Sequence, residues 1–134
     1  MPQGRETIIV VEDDDLIRKL STRVLESLGY DVIAAEDGVI AFEMAKDYPK
    51  RVDLVFSDVV MPRCYGPEFV SKLREVRDDF EVLYTSGYRK DAFEEHVVER
   101  TVQLLPKPFT PEQLASRVRT ILDQTQAEGK SEAA

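Results

Sequence analysis

The sequence has 134 residues, 43% of them hydrophobic and 33% charged, and its 26 acidic residues outnumber 18 basic ones to give a net charge of −8. This length and composition fit one globular domain. The acidic balance argues against a nucleic-acid-binding surface, which needs clustered lysine and arginine. Cys64, the single cysteine, cannot form an internal disulfide, which favours a reducing compartment.

No segment has the composition of a membrane span or a signal peptide. Apolar runs such as Ile8–Val11 fall far short of the roughly 20 residues that cross a bilayer. The first residues, Met1 to Thr7, carry charge and lack an apolar core. We therefore expect a cytoplasmic protein without a membrane partner.

Five short apolar runs alternate with stretches of helical periodicity. In chain order the runs are Ile8–Val11, Asp31–Ala35, Asp53–Ser57, Val82–Tyr84 and Val102–Leu105. Runs this rich in Val, Ile and Leu are typical of strands that are buried on both faces. The βα order repeats five times, which predicts an α/β fold with a five-stranded parallel sheet between helices.

The predicted helices are marked by apolar residues three or four positions apart. The first follows the acidic run Glu12–Asp15 and ends at Gly29, and the last begins after Thr110. The fourth is marked by Ala92, Phe93, Val97 and Val98. The sequence after Asp123 is polar and small, which predicts a domain over residues 6–123 and a disordered tail over 124–134.

Polar residues follow four of the five predicted strands. Glu12 and Asp13 follow the first strand, Asp58 the third, Thr85 the fourth and Lys107 the fifth. Ligands of open parallel sheets bind at this edge, so we expect these side chains to lie together. Like charges about 4 Å apart repel by roughly 4 kcal/mol at an effective dielectric near 20. The carboxylates therefore need cations, and oxygen ligands favour Mg²⁺ or Mn²⁺ beside the Lys107 ammonium.

This set of side chains is suited to phosphoryl transfer. The Asp58 carboxylate can act as the nucleophile. The metal, Lys107 and the Thr85 hydroxyl can neutralise charge on the phosphoryl oxygens, which is most of what phosphoryl-transfer catalysis requires.

Four motifs in this order resemble the receiver domain of bacterial response regulators. They are Val10–Asp14, Ser57–Pro62, Thr85–Tyr88 and Lys107–Thr110. The resemblance covers about residues 6 to 123 and extends to receivers attached to hybrid sensor kinases. It implies a (βα)5 flavodoxin-like fold with strand order 2-1-3-4-5.

The resemblance also assigns roles to the residues at the strand ends. It makes Asp58 the phosphoacceptor, Asp13 a direct metal ligand and Glu12 a ligand acting mainly through water. The backbone carbonyl of Val60 matches the third protein ligand of the metal. Thr85 matches the switch hydroxyl.

The fifth strand end carries one match and one departure. Lys107 matches the site lysine of the family, and the bond from Lys107 to Pro108 is implied to be cis. Leu104 stands where the family often has an aromatic residue that moves on phosphorylation. The usual coupling of hydroxyl and aromatic is therefore not expected at this position.

The function implied is that of a phosphoacceptor signalling domain in a two-component system or phosphorelay. The expected partner is a sensor histidine kinase or a histidine phosphotransfer domain, and no nucleic acid. Asp58 would receive the phosphoryl group, which either changes the surface or is passed on. Such a domain assists its own phosphorylation and dephosphorylation but turns over no external substrate.

Two other classes fit the site less well. A magnesium-dependent phosphohydrolase with an aspartyl intermediate needs an acid two residues after the nucleophile, where this chain has Val60. A receiver-like binding module that is not phosphorylated would be expected to lack Asp13, Asp58 or Lys107, and all three are present.

Overall fold

A computed structural model describes residues 1–87 and 103–133 of the chain. Five parallel strands form one sheet: β1 Thr7–Val11, β2 Asp31–Ala35, β3 Leu54–Asp58, β6 Glu81–Ser86 and β7 Leu104–Pro106. Two short strands, β4 Val60–Met61 and β5 Cys64–Tyr65, form an antiparallel hairpin after β3. The sheet order β2-β1-β3-β6-β7 becomes the predicted 2-1-3-4-5 when the hairpin is left out, which confirms the fold class.

Four helices are described: α1 Asp15–Ser27, α2 Gly38–Ala45, α3 Gly66–Val76 and α4 Pro111–Ala133. The predicted helix marked by Ala92, Phe93, Val97 and Val98 lies outside the described residues. The core on one face of the sheet is formed with α1 and α4, and the core on the other face with α2 and α3. The central strands β1 and β3 are therefore buried on both faces, as their composition predicts.

The helix ends follow the capping signals in the sequence. The Asp14 side chain caps α1 by accepting a hydrogen bond from the backbone N–H of Ile17 at 3.0 Å. Gly29, directly after the C-cap residue, has a φ of 103°, a conformation that side chains with a Cβ rarely adopt. Thr110 and Gln113 form a reciprocal capping box at α4, with hydrogen bonds of 2.8 and 3.1 Å.

The C-terminal segment differs from its prediction. The sequence predicts a disordered tail over 124–134, whereas α4 continues to Ala133. A polar composition does not exclude a helix, because Ala, Gln, Glu and Lys all have high helix propensity. The extent of the receiver unit itself, residues 6–123, stays a prediction.

Candidate functional site

The predicted site residues of β3, β6 and β7 are joined by backbone pairing. Asp58 is the last residue of β3 and pairs in register with Thr85 on β6. The Lys107 N–H donates to the carbonyl of Ser86 at 2.8 Å, so Lys107 extends the pairing of β7 past its last residue. The peptide bond between Lys107 and Pro108 is cis. Parallel strands thus bring residues far apart in sequence to one edge of the sheet.

Three carboxylates converge at this edge. Oxygen atoms of Glu12, Asp13 and Asp58 all lie within 4.8 Å of one another. Glu12 and Asp58 are buried and Asp13 is exposed, so the cluster opens to solvent on one side. Burial and the neighbouring charge of Glu12 raise the pKa of Asp58 to about 8. The folded chain therefore holds Asp58 where its ionised form is disfavoured without a further cation.

Lys107 supplies a positive charge inside the cluster. Its Nζ atom lies 2.6 Å from Oε1 of Glu12 and 3.2 Å from Oδ2 of Asp58. Burial disfavours the charged form of Lys107, but the hydrogen bond to Glu12 and the charge of Asp58 outweigh it and raise the pKa of Lys107. Lys107 is therefore an ammonium that bridges two buried carboxylates.

The donor set fits a small divalent cation. All three candidate side-chain ligands are carboxylates, and Mg²⁺ and Mn²⁺ prefer oxygen ligands. One lysine does not neutralise three carboxylates, so a bound cation would relieve their repulsion. Val60 is the remaining predicted ligand. It lies in the hairpin directly after Asp58 with 43% of its surface exposed, and the role of its carbonyl stays a prediction.

The turn between β1 and α1 is held on several sides. The Glu12 N–H donates to the carbonyl of Ala35 at 3.1 Å, and the Glu12 carboxylate accepts from the Asp14 N–H at 3.2 Å. Nη1 of Arg18 donates to the Glu12 carbonyl at 2.9 Å. Sequence reasoning missed Arg18, because a side chain bonded to a backbone carbonyl leaves no pattern in residue types.

A glycine allows the chain to return closely past Asp58. The N–H of Gly66 donates to the carbonyl of Val59 at 2.6 Å. A Cβ at Gly66 would lie 2.3 Å from the carbonyl oxygen of Asp58, well inside contact distance. Only a residue without a side chain fits here, so the hairpin that presents Val60 depends on Gly66.

The same hairpin is tied to α2 by an ion pair. Nη2 of Arg63 lies 2.6 Å from Oδ2 of Asp37. Oδ1 of Asp37 accepts from the N–H of Ile40 at 2.9 Å and thereby caps α2. That backbone hydrogen bond, with the Arg63 charge, outweighs burial and lowers the pKa of Asp37. Sequence reasoning did not find this contact, since the two residues are remote along the chain.

Thr85 carries a buried hydroxyl beside the acceptor. Its exposed fraction is 1%, and its Oγ1 has no hydrogen-bond partner within the described part of the chain. An unpaired buried hydroxyl is costly, so it marks a place where a ligand oxygen would be favoured. Leu104 packs against the core on the face formed with α2 and α3, as a partly buried aliphatic residue.

An apolar groove borders the site on the side of α1. It has a volume of about 630 Å³ and runs between α1 and the start of α4. Lys107 lies among its lining residues, together with Ile17, Leu20, Val24, Phe109 and Leu114. Lys107 thus belongs both to the lining of the groove and to the carboxylate cluster.

Comparisons with known proteins agree with this fold. The response regulator receiver domain family matches residues 8–119. The sensor kinase CckA of Brucella abortus is 39% identical over 122 residues, which cover 90% of this chain and 13% of that protein. The response regulator MprA of Mycobacterium avium is 38% identical over 129 residues, covering 93% of this chain and 54% of that protein.

A solved structure gives the same result. The receiver domain of the hybrid histidine kinase CckA superposes with a TM-score of 0.73 at 34% identity, covering 87% of this chain and 98% of that domain. The chain therefore belongs to the response regulator receiver domain family. It spans about half of MprA and about an eighth of CckA, so it corresponds to one domain of these longer proteins.

Family membership fixes the general class of function. Receiver domains are phosphoacceptor signalling domains that take phosphoryl groups from histidine kinases and generally bind Mg²⁺. They are signalling proteins rather than classical enzymes. Within the described residues, no helix is long and apolar enough to span a bilayer.

Proposed function

We propose that Asp58 of this chain accepts a phosphoryl group from a phosphohistidine, in a reaction that depends on Mg²⁺ or Mn²⁺ held at Glu12, Asp13, Asp58 and the Val60 carbonyl. One observation carries the proposal. The Lys107 ammonium bridges Glu12 and Asp58 inside a carboxylate cluster that opens to solvent at Asp13. The strand ends thus provide a nucleophile, a cation site and a fixed positive charge in one place.

The chain's own residues account for each part of the transfer. An oxygen of Asp58 attacks phosphorus, the P–N bond of the donor breaks, and the donor imidazole leaves with the electron pair and takes up a proton. Lys107 neutralises charge on the phosphoryl oxygens, and the unpaired Thr85 hydroxyl donates a hydrogen bond to one of them. A bound divalent cation supplies further neutralisation of the phosphoryl and carboxylate oxygens. Val60 offers no acid, which argues against turnover of an external phosphate ester.

The apolar groove beside α1 supports a helical phosphodonor as partner. Leu16 and Leu20 are exposed large hydrophobic residues on α1, and Leu20 lines the groove that also contains Lys107. A helix that fills this groove would bring a histidine on its surface near Asp58. The proposed partner is therefore a sensor histidine kinase or a histidine phosphotransfer domain that presents its histidine on such a helix. With Leu104 in place of an aromatic, passing the phosphoryl group onward is favoured over a large surface change.

The test is phosphorylation by acetyl phosphate with Mg²⁺, followed by intact mass spectrometry. We expect the mass of one phosphoryl group to be added to the wild-type chain, and the addition to be lost in EDTA. Asp58→Asn should abolish labelling. Asp14→Asn changes an exposed neighbour of the cluster and should leave labelling intact. Labelling of Asp58→Asn at another carboxylate would overturn the assignment of the acceptor.

A further inference from the structure

Arg18 holds the backbone on which the two acidic residues of the β1–α1 turn are placed. Its side chain has an exposed fraction of only 16%, which is low for an arginine on the first turns of a helix. Nη1 donates to the carbonyl of Glu12 at 2.9 Å, and Nη2 forms an ion pair with Asp15. One guanidinium therefore joins the peptide between Glu12 and Asp13 to the start of α1.

Asp13 is restrained through the peptide on each side of it. Arg18 binds the Glu12 carbonyl, and the Asp14 N–H donates to the Glu12 carboxylate. Glu12 is fixed through its N–H by Ala35 and through its carboxylate by Lys107. In the part of the chain that the structure describes, neither a hydrogen bond nor an ion pair holds the Asp13 carboxylate. The position of that carboxylate thus depends on the orientation of the Glu12–Asp13 peptide, whose carbonyl Arg18 binds.

We propose that Arg18 is a positioning residue for the cation site, and that its hydrogen bond to the Glu12 carbonyl sets the affinity of Asp13 and its neighbours for a divalent cation. The inference rests on the proposed function, because it assumes that Glu12, Asp13 and Asp58 hold the cation. Groups that orient metal ligands typically contribute about 10- to 100-fold to metal affinity. Arg18 touches none of the reacting atoms and acts through the backbone.

The positive charge of Arg18 allows two explanations of its role to be distinguished, because they predict opposite changes in the affinity for Mg²⁺. Arg18 is a cation beside an acidic cluster, so Coulomb's law alone predicts that its removal would tighten the binding of Mg²⁺. Loss of positioning predicts weaker binding. The direction of the change in dissociation constant therefore decides between them.

Arginine and lysine are not equivalent in this role. The planar fork of arginine reaches a carbonyl and a carboxylate together, whereas a lysine ammonium is a single point of positive charge. Arg18→Lys keeps the charge, but its single ammonium is shared between the Glu12 carbonyl and Asp15, so the contact with the carbonyl is only partly retained. We therefore expect Arg18→Lys to bind Mg²⁺ less tightly than the wild type and more tightly than Arg18→Met.

A variant at Asp15 tests the two contacts of Arg18 separately. Asp15→Asn removes the charged partner of Nη2 but leaves the hydrogen bond from Nη1 to the Glu12 carbonyl. If the carbonyl contact sets the affinity, Asp15→Asn should bind Mg²⁺ much as the wild type does. If Asp15→Asn weakens binding as far as Arg18→Met, the ion pair is responsible and the inference is wrong.

The experiment is a calorimetric titration of the full chain with Mg²⁺, repeated with Mn²⁺, for wild type, Arg18→Met, Arg18→Lys, Asp15→Asn and the control Arg23→Met. Arg23 lies on the same helix, is exposed and takes no part in the turn. We expect the dissociation constant of Arg18→Met to rise about tenfold. That of Arg23→Met should stay unchanged. Urea unfolding in EDTA checks that each variant is folded. If Arg18→Met does not fold, Arg18→Lys replaces it in the comparison with the wild type.

The outcomes distinguish this inference from the function on which it rests. Equal or tighter binding of Mg²⁺ by Arg18→Met overturns the positioning role, while the wild type still binds the cation and is labelled at Asp58. Absence of Mg²⁺ binding by the wild type overturns the cation site itself. A tenfold loss in Arg18→Met, an intermediate loss in Arg18→Lys and none in Arg23→Met supports the role of Arg18.

Discussion

At the scale of single residues, Asp58 is placed where its own charge is unfavourable. It is 6% exposed, it lies beside Glu12, and its pKa of about 8 is far above the ordinary value of 3.8 for an aspartate. When folding raises the pKa of a carboxyl group, the folded chain is most stable below the ordinary pKa, where the group is protonated in both states. The free energy of unfolding then falls as pH rises toward the pKa of the folded state. Without a cation, the free energy of unfolding should therefore fall between about pH 4 and pH 8.

Replacing Asp58 with asparagine, its neutral isostere, should remove this fall in the free energy of unfolding. In EDTA, we expect Asp58→Asn to be more stable than the wild type by about 2 kcal/mol at pH 8.5, with a smaller difference at pH 5. Urea unfolding followed by circular dichroism at both pH values measures the difference. Asp14→Asn is the matched control, since it removes a charge from an exposed position and asparagine also caps helices. A stability gain that is the same at pH 5 and pH 8.5 would contradict the explanation.

At the scale of secondary-structure elements, Arg77 ties the end of α3 to the connection between α2 and β3. It follows the last residue of α3, and its guanidinium donates to three backbone carbonyls at 2.7 to 3.1 Å, those of Ala45, Tyr48 and Lys50. It also forms a two-point contact with Asp79, at 2.9 and 2.7 Å. One side chain thus binds the carbonyl of the last residue of α2 and two carbonyls of the connection that follows it.

Asp79 should make this connection sensitive to acid. The hydrogen bonds from Arg77 lower the pKa of Asp79 to about 2. A depressed pKa stabilises the folded chain above the ordinary value of 3.8, and the contribution is lost as pH falls toward 2. Asp79 is 32% exposed, so we expect Asp79→Asn to cost only about 1 kcal/mol at pH 7 and to flatten the stability profile between pH 4 and pH 2.

The neighbouring residue provides the control for Asp79. Asp78 pairs with Arg74 but has 75% of its side chain exposed, and surface pairs of this kind contribute little. Thermal unfolding of Asp79→Asn and Asp78→Asn from pH 7 to pH 2 compares the two. If Asp78→Asn lowers stability as much as Asp79→Asn does, the contact between Arg77 and Asp79 has no special role.

The strands and helices could be predicted from the sequence wherever burial dictates residue type. The strand Asp31–Ala35 was predicted to the residue, and β1 and β3 within one residue, because buried parallel strands require apolar runs. The hairpin of β4 and β5 was not predicted, since strands of two residues have no periodicity. The structure extends α4 to Ala133, where the sequence predicts a disordered tail, because high helix propensity alone leaves no apolar pattern to recognise.

The candidate site was predictable to the level of its side chains and no further. Glu12, Asp58 and Lys107 could be placed together because parallel strands end at one edge of a sheet. The contact of Arg18 with a backbone carbonyl and the ion pair of Arg63 with Asp37 could not be predicted. Both depend on how a turn is oriented in space, which residue types do not encode.

At the scale of the whole molecule, a cation that binds only the folded chain should raise the stability of the entire domain. The carboxylate cluster combines two residues of the turn between β1 and α1 with the last residue of β3, so it exists only when these elements are packed. Binding to the native state stabilises by about 2.7 kcal/mol at a hundredfold excess over the dissociation constant. Magnesium should therefore act as a stabilising ligand of the fold.

We expect the melting temperature of the wild type to rise with Mg²⁺ concentration. In Asp13→Ala this rise should disappear, because the exposed carboxylate of the proposed cation site is lost. Asp31→Ala is a suitable control, since Asp31 is an exposed acidic residue at the opposite end of β2 from the site. Scanning calorimetry over a series of MgCl₂ concentrations tests this. Equal responses of the wild type and Asp13→Ala would place the stabilising ions elsewhere.

The bridge from Lys107 to Asp58 joins residues 49 positions apart in the sequence. In an unfolded chain, Asp58 is one ordinary carboxylate among many and has neither the amine nor the buried hydroxyl beside it. On the proposed function, acceptance of a phosphoryl group would require an intact tertiary structure, and a covalent mark on Asp58 would record that a given molecule was native when the donor was present. Pulse labelling in this way would count native molecules in a mixture, including a cell extract, without purification or an optical probe.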